Sequence, residues 1–319
     1  MKPSLRNLLS AAGPFLGLIL VIGLFSIDPE VRSYFLTTYN FKIILTQTVI
    51  VAVGALGMTL IIVSGGIDLS VGSVVALTGV VGALVLREGQ GAFMAVAAAI
   101  LTGGLIGALN GSLIAGLRIM PFVVTLGMLG IARGMAKWLG DNQTIQYPDS
   151  PLNGLMASAD PLSSLPPPGV WVAVVLAILT AIMLRQTVFG RHIFALGSNE
   201  ATARLCGLPV GRLKIFIYTL AGLYFGLAGV MQMTRLRQGD PTVAVGVELD
   251  IIAAVVIGGA SLSGGTGTVM GSIIGALIMS VLRNGSQQMG WPTYIQEIII
   301  GAVIILAVAL DRVRQARKQ

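Results

Sequence analysis

An all-α integral membrane protein is what this sequence predicts, with about ten transmembrane helices, broken helices at two Gly-rich motifs, and both termini cytoplasmic. Three observations carry that expectation. First, 55% of the 319 residues are hydrophobic and only 10% are charged, against roughly 25% charged in a soluble domain. Second, several apolar runs approach the roughly 20 residues that a helix needs to cross a bilayer. Third, the 42 glycines follow no triplet repeat, and small residues let membrane helices approach closely.

The apolar runs, in order, are 8–27, 42–63, 70–86, 92–117, 121–139, 169–184, 215–233, 249–260, 266–282 and 294–310. Lys2 and Arg6 before the first run resemble a signal peptide, but Ser26-Ile27-Asp28-Pro29 lacks a small-x-small cleavage site, so an uncleaved helix is expected. The eighth run is short for a full crossing and is expected to be tilted or broken. Ten crossings put both termini on one side, and Lys and Arg decide which. With the N-terminus inside, 12 of the 20 basic residues fall inside. The loop 140–168 has Asp141, Asp149 and Asp160 and no base, so it belongs outside. The loop 185–214 carries five bases and belongs inside. Arg235 and Arg237 go against the rule. The chain therefore reads as a single polytopic domain, 1–319. Its halves, about 1–139 and 169–319, are joined by an outer loop, 140–168, whose prolines Pro148, Pro151, Pro161 and Pro166-Pro167-Pro168 make it an irregular cap.

The halves share a repeat. GGIDLSVGSVVALTGVVGAL at 65–84 and GGASLSGGTGTVMGSIIGAL at 258–277 are identical at eight of 20 positions at an offset of 193. Interrupted helices in corresponding positions of two halves point to the central pathway of a transporter. In the first copy, Asp68 costs about 2.5–3.5 kcal/mol if it sits at a helix centre, and Gly65-Gly66 favour a break. Two roles stand open. Asp68 and Ser70 belong to a substrate pathway or gate, or one of them caps the next helix in a turn near the inner surface. The second copy carries Ser261, Ser263, Thr266 and Thr268 instead of a carboxylate. It is no phosphate loop, because GK[ST] is missing.

Gly103, Gly107 and Gly111 form a stripe for close helix packing, and Asn110 beside it needs a partner, from another helix or a passing solute. Arg133 and Lys137 read as bases whose stems reach the interface. Glu248 and Asp250 read as helix N-terminal acids, and Glu297 lies in an interfacial zone with Trp291 and Tyr294. In the inner loop, Asn199 can cap a short helix that Gly207 ends, with Ala201, Leu205 and Leu208 as a small apolar face. Such a helix facing the cytosol has little reason to exist except to dock something. His192 reads as an ordinary surface or interface residue. One cysteine, Cys206, and one histidine leave no basis for a disulfide, a multi-cysteine metal site or most triad chemistry, and the basic residues sit in short loops rather than in a nucleic-acid patch.

These motifs resemble the permease subunits of ribose-type sugar ABC importers, which serve ribose, xylose, arabinose, galactose, galactofuranose and similar ligands. The resemblance rests on GMTLIIVSGGIDLSVGS (57–73), NGSLIAGLRIMPFVVTLGMLGIARG (110–134), FALGSNEATARLCGLPVGRLK (194–214) and ELDIIAAVVIGGASLSGGTGTVMGSIIGAL (248–277). The chain departs from that family at Ser198, Cys206 and Ile251, where Gly, Ser and Ala are usual. The resemblance implies a non-catalytic subunit that moves a pentose or hexose across the bacterial cytoplasmic (inner) membrane. It implies no cofactor on this chain, with ATP and Mg bound by a partner ABC ATPase subunit. It also implies a periplasmic sugar-binding protein and a second permease subunit, identical or similar. The ATPase is expected beneath Gly197, Asn199, Ala201 and Gly207, and the substrate pathway past Asp68, Ser70, Asn110, Ser261 and Ser263. The alternative is an ion-coupled secondary transporter of a small polar solute, which needs ionisable residues deep in the bundle. Only Asp68 is a candidate there. An integral-membrane enzyme needs clustered His, Asp, Glu or Cys. A channel accounts for neither the inner loop nor the repeat.

Overall fold

The computed structural model describes residues 5–157 and 165–316; Lys2, Asp160, Pro161, Arg317 and Lys318 lie outside them. Each of the ten expected runs is a helix: α1 (Leu5–Phe25), α3 (Thr38–Val63), α4 (Val71–Arg87), α5 (Ala92–Leu117), α6 (Pro121–Leu139), α7 (Pro168–Gln186), α10 (Val210–Leu236), α11 (Val247–Ile257), α12 (Val269–Gln288) and α13 (Thr293–Ala316). Three short helices complete the described chain: α2 (Pro29–Phe35), α8 (Val188–Ser198) and α9 (Glu200–Leu205). Six helices, α3, α5, α6, α7, α10 and α12, are long and apolar enough to span a bilayer.

The pattern of burial follows from composition. Helix α3 is apolar all round, and its residues from Val49 to Val63 are buried on every side, as a helix without a polar face must be. It packs against α10, α11, α12 and α7. The main core draws on both halves of the chain. The outer faces of α5, α6 and α7 leave Leu101, Leu105, Phe122, Ile131, Trp171 and Ile178 exposed, which is the surface a lipid solvent accepts.

The tightest pairing is α5 against α10. A side chain at Gly103 would strike the backbone oxygen of Gly222, one at Gly107 that of Tyr218, and one at Gly111 the Cα of Ile215. The expected stripe on α5 thus meets a second one on α10, and the two backbones touch with no side chains between them. Helix α2 went unforeseen, because it is short and charged. Pro29 starts it, Asp28 caps it by accepting from the Glu30 and Val31 amides, and Phe35 packs on Phe25, which also meets Trp291.

The loop after α6 has more order than an irregular cap. Residues Ile145–Gln146 (β1) pair antiparallel with Gln238–Gly239 (β2), and a 3-10 turn covers Pro151–Gly154. Gly169 at the start of α7 donates to the Leu155 carbonyl at 2.8 Å.

Candidate functional site

Both glycine-rich motifs break a helix, and they do so by the same device. At the end of α3, Gly65 has φ +86°, its amide donates to Ile62 O at 2.9 Å, and the Gly66 amide donates to Ile61 O at 2.9 Å. At the end of α11, Gly259 has φ +93°, its amide donates to Val256 O at 2.9 Å, and the Ala260 amide donates to Val255 O at 3.1 Å. This is the paired 6→1 and 5→2 closure that a left-handed glycine permits. The structural partner of Gly65 is therefore Gly259, one residue beyond the Gly258 that sequence alignment pairs with it.

In the first break, Asp68 turns its carboxylate onto the start of α4. Its Oδ1 accepts from the Ser70 amide at 2.7 Å and from the Ser70 hydroxyl at 2.6 Å. The Asn110 amide of α5 donates to Ser70 Oγ at 3.2 Å and to Asp68 Oδ2 at 3.4 Å. All three side chains are buried. Asp68, not Ser70, serves the helix start: Ser70 occupies the cap position without a side-chain cap bond. The positive end of α4 and neutral donors thus face the carboxylate. Asn110 finds its partner in this cluster. Thr125 of α6 ties the break from the other side, accepting from the Leu69 amide at 3.2 Å.

Ser261 and Ser263 lie on the second break. Ser261 is buried, Ser263 is exposed, and Ser261 Oγ accepts from the Ser263 amide at 3.2 Å. The loop closes through the Ser261 amide donating to Thr266 O at 3.1 Å, and Thr268 caps α12.

The basic loop 185–214 holds two short helices where one was expected. Helix α8 buries Ile193 and Leu196. Asn199 ends it and caps α9, accepting from the Thr202 amide at 2.9 Å. Gly207, at φ +81°, closes α9. Helix α9 buries only Ala203, and of the expected apolar face Ala201 is exposed, Leu205 is 89% exposed and Leu208 is half-buried. A six-residue helix has one side to bury, and Ala203 takes it. Glu200 bridges Lys214 at 2.8 Å and Arg204 at 3.1 Å. Partial burial works to raise the Glu200 carboxyl, but the bonds and charges of Lys214 and Arg204 outweigh it and hold the group below the usual carboxylate range.

Gly197, near the end of α8, joins these parts. A Cβ there would overlap the Val63 carbonyl, and it would stand 2.6 Å from the Gly265 amide. That amide donates to the same Val63 carbonyl at 2.9 Å. A Cβ on Gly264, at φ +84°, would stand 2.6 Å from Gly197 O and 2.9 Å from Gly65 Cα. Backbone from α8 and from both breaks thus meets at one point. Val63, Gly264 and Gly265 were missed by sequence reasoning; the doubled glycine of 264–265 was its only trace.

Two further expectations change. Arg133 does not snorkel: its Nη1 donates to Pro241 O at 2.8 Å and to Val243 O at 2.7 Å. Glu248 behaves as expected, accepting from the Gly246 amide at 3.2 Å, but Asp250 pairs with Arg283 of α12.

The family described as "Branched-chain amino acid transport system / permease component" matches residues 40–308. The chain belongs to this permease family. It is 42% identical over 309 residues to the ribose import permease protein of Escherichia coli (strain K12), covering 93% of each chain. It is 37% identical over 312 residues to that of Bacillus subtilis (strain 168), covering 95% of this chain and 93% of the other. It is 35% identical over 285 residues to the L-arabinose ABC transporter permease protein of Azospirillum brasilense, covering 89% and 83%. No solved structure matches. The permease is an all-α membrane component of an ABC import system, a class in which the membrane subunit is not the catalytic one.

Proposed function

We propose that this permease carries a small sugar, a pentose foremost, inward across the bacterial cytoplasmic membrane. The observation that carries this reading is likeness over nearly the whole chain to permeases named for ribose and arabinose. On this reading the ten helices are ten crossings within a single domain, 1–319, whose halves meet through the outer loop 140–168, and both termini face the cytosol. The exposed shelf of α8 and α9, with Gly197, Asn199, Ala201 and Gly207, receives the ATPase, which holds ATP and Mg. A periplasmic sugar-binding protein delivers ligand outside, and a second permease subunit completes the core. The contact of Gly197 with both breaks supports this assignment, because a push on α8 has no slack before it reaches them. The breaks, with Asp68, Ser70 and Asn110 in one and Ser261 and Ser263 in the other, border the pathway. ATP binding then shifts the balance between outward- and inward-open states, as differential contacts require.

The test is uptake of labelled pentoses, hexoses and branched-chain amino acids into cells lacking this gene and then regaining it. Restored pentose uptake supports the reading. Restored uptake of amino acids alone overturns it.

A further inference from the structure

After α10 the chain does not stay at the outer edge. Gly239 of β2 packs against Ala83 and Gly79 of α4, whereas Ala244 and Glu248 pack against Gly72, in the first turn of that helix. Between them residues 241–246 are a run of turns, with Ala244 at φ +59°, a conformation uncommon for a residue other than glycine. The contacts of Gly239, at Gly79 and Ala83, lie seven to eleven helical positions from Gly72, so the segment descends roughly 10–16 Å at 1.5 Å per residue. That is about a third to a half of a ~30 Å hydrocarbon core. It also explains why α11 is so short: the helix begins part-way down.

Irregular backbone at such depth survives only inside protein or beside a water-filled cavity. Arg133 serves the first condition by taking the carbonyls of Pro241 and Val243. Beside the segment there is also open space. A cavity of about 280 Å3 lies between α6 and this segment, lined by Leu129, Arg133, Lys137, Thr242, Val245 and Glu248. Two turns inward of Arg133 on the same helix, Thr125 holds the first break.

We propose that this cavity is the outward-facing site for the permeating solute, with Glu248, Lys137 and Thr242 contacting an uncharged polyol. The assignment rests on the sugar reading above and names the residues that execute it. Ionisable groups within a membrane domain mark solute pathways, and here their chemistry is mixed. Glu248 accepts, the Lys137 ammonium donates, and the Thr242 hydroxyl, whose own proton goes to Asp240 Oδ1 at 2.7 Å, accepts, as the hydroxyls of a sugar require. The Arg133 and Lys137 cations are balanced by Glu248 and by Asp240, both within charge range of Arg133. A balanced site favours a neutral solute over an ion. Leu129 and Val245 supply the apolar wall for the C–H face of the ring. The volume lies at the small end of ligand pockets, suited to a monosaccharide.

The test uses the whole importer (permease, ATPase and binding protein) in vesicles, reading sugar uptake and ATP hydrolysis together. Glu248→Gln and Lys137→Gln are expected to cut the sugar moved per ATP by about tenfold. ATPase co-purification and the stimulation of hydrolysis by loaded binding protein should stay within about twofold of wild type. Lys137 is exposed, so its variant decides the matter if Glu248→Gln does not assemble. Val245→Cys in a Cys206→Ser background should react with a hydrophilic thiol reagent added outside. Wild-type transport stoichiometry in the assembled variants overturns the site, as does a Val245→Cys that reacts only with lipid-soluble reagents. A wild-type importer that moves no sugar overturns the sugar reading itself, and is told apart by the wild-type control.

Discussion

Arg283 of α12 holds Asp250 of α11 through a single carboxylate oxygen, with Nη2 2.6 Å and Nε 2.7 Å from Oδ2. The acid is almost wholly buried and the guanidinium one-third exposed. Removing one partner of a buried pair leaves the other charge uncompensated, which costs about 3–5 kcal/mol, whereas removing both is often near neutral. Arg283→Gln should therefore lower the thermal midpoint of the detergent-purified permease by an amount equivalent to about 3 kcal/mol. Asp250→Asn with Arg283→Gln should recover most of that. Equal loss in the single and double variants would show that the pair is not the source.

How far the sequence foretold this molecule depends on the range over which each signal acts. Apolar length is local, so all ten apolar runs are helices, with ends that differ by up to six residues. The Asn199 cap and the Gly207 stop are equally local, being written within four or five positions. Partners across the fold were not legible. Asp250 meets Arg283 thirty-three positions away, and its place near a helix start suggested capping instead. Which side of α9 is covered was not legible either: periodicity names an apolar face, but only the neighbours of α9 decide that Ala203 is buried and Leu205 is left exposed. The path of 240–246 along α4, from the neighbourhood of Ala83 to Gly72, carries no hydropathy signal at all, because it is set by contacts with α4.

Close packing of α5 on α10 gives a second prediction. The backbones at Gly107 and Tyr218 touch, so no rotamer can accommodate a β-branched side chain. Overpacking a core typically costs 1–3 kcal/mol, and here backbone rather than side chain must yield. Gly107→Val should fail to accumulate in the membrane, while Gly127→Val on α6, where a Cβ meets nothing within 4 Å, should accumulate as wild type does. Comparable membrane levels of both proteins by immunoblot would refute the packing argument.

The glycine junction gives a third. Even a methyl group on Gly197 would overlap the Val63 carbonyl and must push α8 away from both breaks. The exposed side of α9 is untouched, so Gly197→Ala should still co-purify with the ATPase yet move at least about tenfold less sugar per ATP. Gly207→Ala makes the contrasting case. It meets no neighbour within 4 Å, and only its left-handed φ is strained, at about 1 kcal/mol. It should transport near the wild-type rate. A reversed order of severity would remove the junction from the coupling route.

Glu200 supplies a prediction about pH. Its folded carboxyl titrates below the ordinary range because Lys214 and Arg204 favour the charged form. A depressed acid contributes stability that is present above its unfolded value, near 4.3, and is lost as pH falls through the folded value. The bridge is partly exposed, so the contribution is small. Amide exchange in α9, corrected for the intrinsic rate, should therefore be flat between about pH 6 and 8 and quicken only in acid. In Glu200→Gln the corrected exchange should be faster at neutral pH and no longer respond to acid. A change in wild-type protection near pH 7 would mean that another group controls this helix.

Cys206 offers the most direct check on orientation. It is the only cysteine in the chain, it is exposed, and it sits at the end of α9, between the Glu200–Arg204 bridge and the Gly207 stop. If α8 and α9 form the cytosolic shelf, an impermeant maleimide should leave Cys206 unmodified in intact spheroplasts and modify it in inverted vesicles. The ATPase adds a second readout, because an ATPase seated on α9 must slow that modification, and stripping it from the vesicles must restore the rate. Modification from the periplasmic side would invert every helix of the fold and put the basic loop outside, against the charge bias of the chain. Equal rates with and without bound ATPase would keep the orientation but move the docking surface away from α9.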